Sequence, residues 1–139
     1  MIDPRGPRFG AWITTAVLAV TLLISGSSTA AASLLAAQAL VFALGSRGRS
    51  PYQLLFASVV RPRLQPPAEL EDEAPPRFAQ LVGLAFATAG VVSFVAGSSL
   101  AGQVFTGFAL VAALLNAAVG LCLGCELYLV ARRVGRAPA

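Results

Sequence analysis

The chain has 139 residues, 57% hydrophobic and 12% charged, with mean hydropathy +0.77 and a formal net charge of +4. A soluble domain of this size carries about twice that charge, and here the apolar residues fall in long blocks, so the class is integral membrane protein with the lipid bilayer as its main partner. All ten basic residues are arginine and there is no histidine. That excludes a Ser-His-Asp triad, a histidine-ligated haem and an HExxH zinc site within one chain, and the arginines flank apolar blocks rather than forming a nucleic-acid-reading pattern, so no nucleic acid is expected.

Four spans are predicted in chain order. The first covers about 9–25, "FGAWITTAVLAVTLLIS", and the second about 29–44, "TAAASLLAAQALVFAL". A polar segment, 45–77, leads to a third near 78–96, and the fourth occupies about 103–131. The first three, of 16 to 19 residues, are short but adequate for a hydrocarbon core of roughly 30 Å. The N-terminal stretch "PRFGAWITTAVLAVTLLISGSSTAAA" also has the form of a signal peptide, with small residues permitting an A-x-A cleavage. Cleavage would leave three spans in the same orientation; the expectation is an uncleaved anchor.

The arginines fix the topology. Arg5 and Arg8 precede span one, and Arg47, Arg49, Arg61, Arg63 and Arg77 lie between spans two and three. Arg132, Arg133 and Arg136 follow span four, while the connections 26–28 and 97–102 carry no charge. The positive-inside rule then puts both termini in the cytoplasm. The expected fold is all-α, a polytopic four-transmembrane-helix bundle forming one domain over 1–139. Small residues, Gly83 and Gly90 in span three, Gly107 in span four and the GxxxG of Gly120 and Gly124, suit close helix approach. They leave open a homodimer through one of these faces.

Between spans two and three, "SPYQLLFASVVRPRL" opens with Ser50 as N-cap and Pro51 at the first helical position. Tyr52, Leu55, Phe56 and Val59 recur at helical spacing, which predicts a short interfacial helix in the cytoplasmic loop. The following "QPPAELEDEAPP" is proline-rich and acidic, a stiff solvated loop that could also dock a basic partner.

The residues able to do chemistry cluster in "NAAVGLCLGCELYLVARR", 116–133. On one continuous helix with Cys122 at zero, Cys125 falls at about −60°, Glu126 at about +40° and Asn116 at about +120°. Glu126 lies about 9 Å along the axis before Arg132, without a basic residue at i+3 or i+4. Its charge partner is therefore expected from Arg5, Arg8 or Arg77; otherwise it would stay protonated. The CxxC has four readings: a thiol–disulfide or sulfur-relay site, a metal site, a structural disulfide, or two small packing residues. Near the C-terminal end of a long span the helix dipole opposes a thiolate, unless Gly120 and Gly124 break the helix and make a new start. A metal would need ligands from a second chain, a structural disulfide is disfavoured in the reducing cytoplasm, and no cofactor is named by the residues.

"DPRGPRF" at 3–9, "SPY" at 50–52, "RPRL" at 61–64, "PPRFAQ" at 75–80 and "LNAAVGLCLGCELY" at 115–128 resemble domain-of-unknown-function family 4395, small bacterial membrane proteins, over nearly the whole chain. The most specific part is matched by Asn116, Ala117, Gly120, Cys122, Gly124, Cys125, Glu126 and Tyr128. The resemblance implies a bacterial inner membrane and, because relatives are often encoded beside thioredoxin-like proteins and rhodanese-type sulfurtransferases, thiol or sulfane-sulfur traffic. It is also broadly similar to four-helix membrane proteins of the DoxX type. The expected function is thus a relay in which Cys122 and Cys125 exchange with such a partner, Glu126 handling protons and Asn116 hydrogen-bonding the site. A non-catalytic scaffold acting through loop 45–77 and a carrier for a small sulfur species are the alternatives.

Overall fold

The computed structural model describes residues 3–136, and its fold is all-α. Four helices are long and apolar enough to cross a membrane: α1 Arg5–Leu23, α2 Ser28–Ser46, α4 Ala74–Val95 and α5 Ser99–Val119. Two shorter ones, α3 Pro51–Leu55 and α6 Leu123–Arg136, lie in the connection and at the C-terminal end. The long helices form a ring in which α1 touches α2 and α5, and α4 touches α2 and α5.

Local chemistry explains the boundaries. Ser27 caps α2, its hydroxyl accepting the Ala30 N–H at 3.3 Å, which satisfies one of the free donors of a helix start. Prolines 75 and 76 occupy the first turn of α4, where a missing N–H costs nothing. Within the spans the hydroxyls of Thr15, Thr21, Ser93 and Thr106 bond the carbonyl four residues back. They therefore carry no unpaired polar atom into an apolar medium.

The core is built from Leu18, Ala31, Leu35, Phe42, Ala87, Phe94 and Ala109. Its tightest seam is α2 against α4, where large side chains enter glycine positions. A Cβ added at Gly83 would lie 2.8 Å from the Phe42 ring, and one at Gly90 would lie 2.6 Å from Leu35 Cδ2. One turn further out the roles reverse, with Gln80 of α4 seated on Gly45 of α2. Each step along α2 is matched by an equal step back along α4, so the pair is antiparallel and in register. Gly102 of α5 receives Phe94 in the same way. Gly107 does not act like this, because its vacant side faces open space.

Two elements depart from the sequence expectation. The fourth span does not run from 103 to 131: α5 stops at Val119 and a separate helix starts at Leu123. In the connection, α3 passes into a π-helical turn at Phe56–Val60 and a 3-10 turn at Arg61–Arg63. Ser50 precedes the helix as expected but makes no side-chain cap bond. Tyr52 is half-buried and Phe56 is buried, its ring 5.7 Å from that of Phe9, while Leu55 and Val59 are exposed. The expected single apolar face is therefore split, because α1 covers only the Tyr52–Phe56 line and the wider π turn changes the rotation per residue beyond it.

Candidate functional site: a cysteine pair at a helix start

The break between α5 and α6 has an identifiable cause. Gly120 adopts φ +74°, the left-handed conformation that ends helices and that residues with a Cβ avoid. Its N–H bonds the Asn116 carbonyl at 3.1 Å and the Leu121 N–H bonds the Leu115 carbonyl at 3.2 Å. Nothing lies within 4 Å of the position a Gly120 Cβ would take. The glycine is there for its backbone, not as half of a packing GxxxG; only Gly124 packs, its vacant side 2.6 Å from Ala79 Cα of α4.

Cys122 consequently immediately precedes α6. The Cys125 N–H points at Cys122 Sγ at 3.1 Å, and the Glu126 N–H bonds the Cys122 carbonyl at 3.0 Å. This is the geometry of an N-cap, with sulfur standing where a serine hydroxyl oxygen ordinarily sits. Cys122 and Cys125 are joined by a disulfide, with Cα atoms 5.1 Å apart. Both residues are partly exposed. The expectation that the pair sits near the C-terminal end of a long helix is corrected: the dipole it meets is the positive start of a new helix.

The single helical face that would gather Asn116, Cys122, Cys125 and Glu126 does not exist, because the left-handed glycine interrupts the 100° progression. Asn116 belongs to the last turn of α5, where its backbone carbonyl accepts the Gly120 N–H. Glu126 is in the first turn of α6 and is exposed. A carboxylate is well placed there relative to the helix dipole and needs no buried counter-ion.

The arginines expected to balance Glu126 are engaged elsewhere. Arg5 binds Asp3 at 2.8 Å and reaches the Gln65 carbonyl at 2.9 Å. Arg8 donates to the Ala117 carbonyl at 3.0 Å, and Arg77 Nε to the Ser46 carbonyl at 3.1 Å with Glu73 3.7 Å away. Two of the three thus cap the negative ends of α5 and α2. These contacts bring the starts of α1 and α4 and the ends of α2 and α5 to one end of the bundle, where the described arginines and acids lie. Tyr128 of α6 packs its ring 5.6 Å from Phe78 of α4, which fixes the cysteine helix to that end.

Sequence reasoning missed a buried polar line nearby. Tyr52 donates its hydroxyl proton to Gln38 Oε1 at 2.7 Å, and Gln38 Nε2 reaches Thr14 Oγ1 at 3.4 Å. Gln38 is 1% exposed. A lone amide in an apolar span was the available signal, since such a group needs an internal partner.

The family described as Domain of unknown function (DUF4395) matches residues 2–133. The chain belongs to this family. No curated protein and no solved structure matches it significantly.

Proposed function

We propose that the chain is a multi-pass protein of the bacterial inner membrane whose Cys122–Cys125 pair exchanges a disulfide with a soluble dithiol protein at the cytoplasmic face. The placement in the cytoplasm follows from the positive-inside rule applied to the arginine-bearing end. The observation that carries the chemistry is the position of Cys122 at the start of α6, with a backbone N–H aimed at its sulfur. In the reduced pair the same N–H and the helix end favour a thiolate at Cys122 over Cys125.

The exchange balances as follows. The Cys122 thiolate attacks a partner disulfide, forming a mixed disulfide and releasing one partner thiolate. Cys125 then loses its proton, with Glu126 beside it as an acceptor, and attacks Cys122 Sγ. The second partner sulfur leaves and is protonated. The partner gains two electrons and two protons, one from Cys125 and one from water, where Cys122 had released it on forming the thiolate, and the chain is left with the Cys122–Cys125 bond. All steps are reversible, so relative potentials set the direction. With a persulfide partner, the Cys122 thiolate would instead take the outer sulfur and release a thiol. A thioredoxin-like protein or a rhodanese-type sulfurtransferase fits as the partner.

Thiol trapping in membranes followed by mass spectrometry tests the proposal. The expected result is a reversible two-electron couple between about −180 and −270 mV, lost in Cys122→Ala and Cys125→Ala. A pair unchanged by oxidant, dithiol and persulfide donor would sink it. The loop gives a second reading: residues 68–73 are exposed and acidic, which suits a scaffold for a basic partner. Under that reading, deleting 65–74 abolishes partner pull-down and the double cysteine variant does not.

A further inference from the structure

We propose that α6 is a membrane-surface helix, docked through an apolar stripe into a leaflet rich in anionic lipid, and that this docking turns the cysteine pair toward water. The proposal rests on the disulfide-exchange reading above and adds to it the surface that orients the site. With Leu123 at zero, Val130 falls at about −20°, Val134 at about +20° and Leu127 at about +40°. Among the described residues these four side chains are 43%, 52%, 72% and 51% exposed. Gly124 and Tyr128, which pack on α4, follow at about +100° and +140°. Arg132, Cys125 and Arg133 occupy the far side, between about 180° and −80°, interrupted by Leu129, and Glu126 flanks them at about −60°.

Three sectors therefore divide the helix: one against α4, one apolar and exposed, one polar and carrying the site. Two observations identify the occupant of the exposed apolar sector as lipid. Gly124 and Tyr128 meet α4 at Ala79 and Phe78, inside the span Ala74–Val95, so the apolar stripe starts at the level where the bilayer must begin. The same end of the bundle carries exposed Arg47, Arg49, Arg61 and Arg63 besides Arg132 and Arg133, and arginines near a surface are drawn to anionic headgroups. A helix with one apolar and one charged face lies in that plane. Cys125 lies almost opposite the stripe, and the disulfide holds Cys122 to the same side.

The test uses the full chain in lipid nanodiscs, one set containing phosphatidylglycerol and one pure phosphatidylcholine. Hydrogen–deuterium exchange should be about tenfold or more slower at residues 126–134 in the anionic discs. Leu127→Ser/Val130→Ser should abolish that protection while α1, α2, α4 and α5 keep theirs. Protection equal in both lipids and indifferent to the double substitution overturns the docking, as does protection that rises with protein concentration, which would assign the stripe to a second copy. In the reduced chain, a charged maleimide should label the cysteines faster than a lipid-soluble one; the reverse order overturns the water-facing orientation. Neither readout involves a redox partner, so failure here and failure of disulfide exchange are separate results.

Discussion

Arg8, in the first turn of α1, donates a hydrogen bond from its guanidinium to the carbonyl of Ala117, in the last turn of α5, at 3.0 Å. The carbonyl is one of those a helix end leaves free, and the cation meets the negative pole of α5. The contact ties the N-terminal helix to the turn preceding the cysteines. Arg8→Gln is expected to cost about 1 kcal/mol and to speed amide exchange at 119–122, measured by denaturation and exchange in nanodiscs. Unchanged exchange there would mean that the arginine serves topology alone.

Gly120 and Gly124 respond to alanine for different reasons. Gly120→Ala meets open space but strains a left-handed residue, costing about 1–2 kcal/mol and favouring a straight α5–α6 helix. That places Cys122 inside a helix, and the reduced Cys122 thiol should become less reactive toward a charged maleimide as its N-cap position is lost. Gly124→Ala keeps the break but drives a methyl group into Ala79, so α6 separates from α4 while Cys122 remains at a helix start. Equal loss of thiol reactivity in both variants would show that the cap has no part in activation.

The four spans and the common end of the arginines were legible because hydropathy blocks and flanking charge are local properties of the chain. The end of α5 was not, because Leu121, Leu123, Leu127 and Leu129 sustain an apolar pattern across a break set by one φ angle. A glycine signals packing and helix termination with the same letter; only the absence of a neighbour at Gly120 and the presence of Ala79 at Gly124 separate the two roles. The partners of Arg8 and Arg77 were hidden for a related reason. Backbone carbonyls at helix ends attract guanidinium as carboxylates do, but they leave no mark on the sequence.

Phe42 and Gly83 form a matched pair across α2 and α4. Gly83→Val adds volume where a first carbon already lies 2.8 Å from the ring, so overpacking should cost about 1–3 kcal/mol. Phe42→Ala alone should also destabilise, by leaving a cavity. Combined, the two should be less harmful than their sum by about 0.5–3 kcal/mol, read from thermal denaturation of the four variants. Strict additivity would contradict the seam.

Tyr52 and Gln38 link the loop helix to the interior. Tyr52→Phe leaves the buried Gln38 carbonyl without its donor, at a cost of about 1–3 kcal/mol. Adding Gln38→Leu removes the stranded acceptor and should recover much of that loss, as replacing both partners of a buried hydrogen bond commonly does. If the double variant is no more stable than Tyr52→Phe, the hydroxyl matters for some reason other than this bond.

Asp3 gives the N-terminal end a dependence on pH. The Arg5 side chain donates to its carboxylate at 3.0 and 2.8 Å and the Arg5 backbone N–H at 3.0 Å. These hydrogen bonds, led by the side-chain pair and opposed by desolvation, hold the carboxyl below its ordinary value of 3.8. A depressed acid contributes stability that is complete above the unfolded-state value and is lost as pH falls through the lower folded-state value. Asp3→Asn should therefore lower the melting temperature at pH 7, and the gap to the parent should close as pH drops below about 4. Comparing the two chains at each pH cancels the titration of the loop acids they share. A gap that persists undiminished at low pH would show that Asp3 acts through packing and not through its charge.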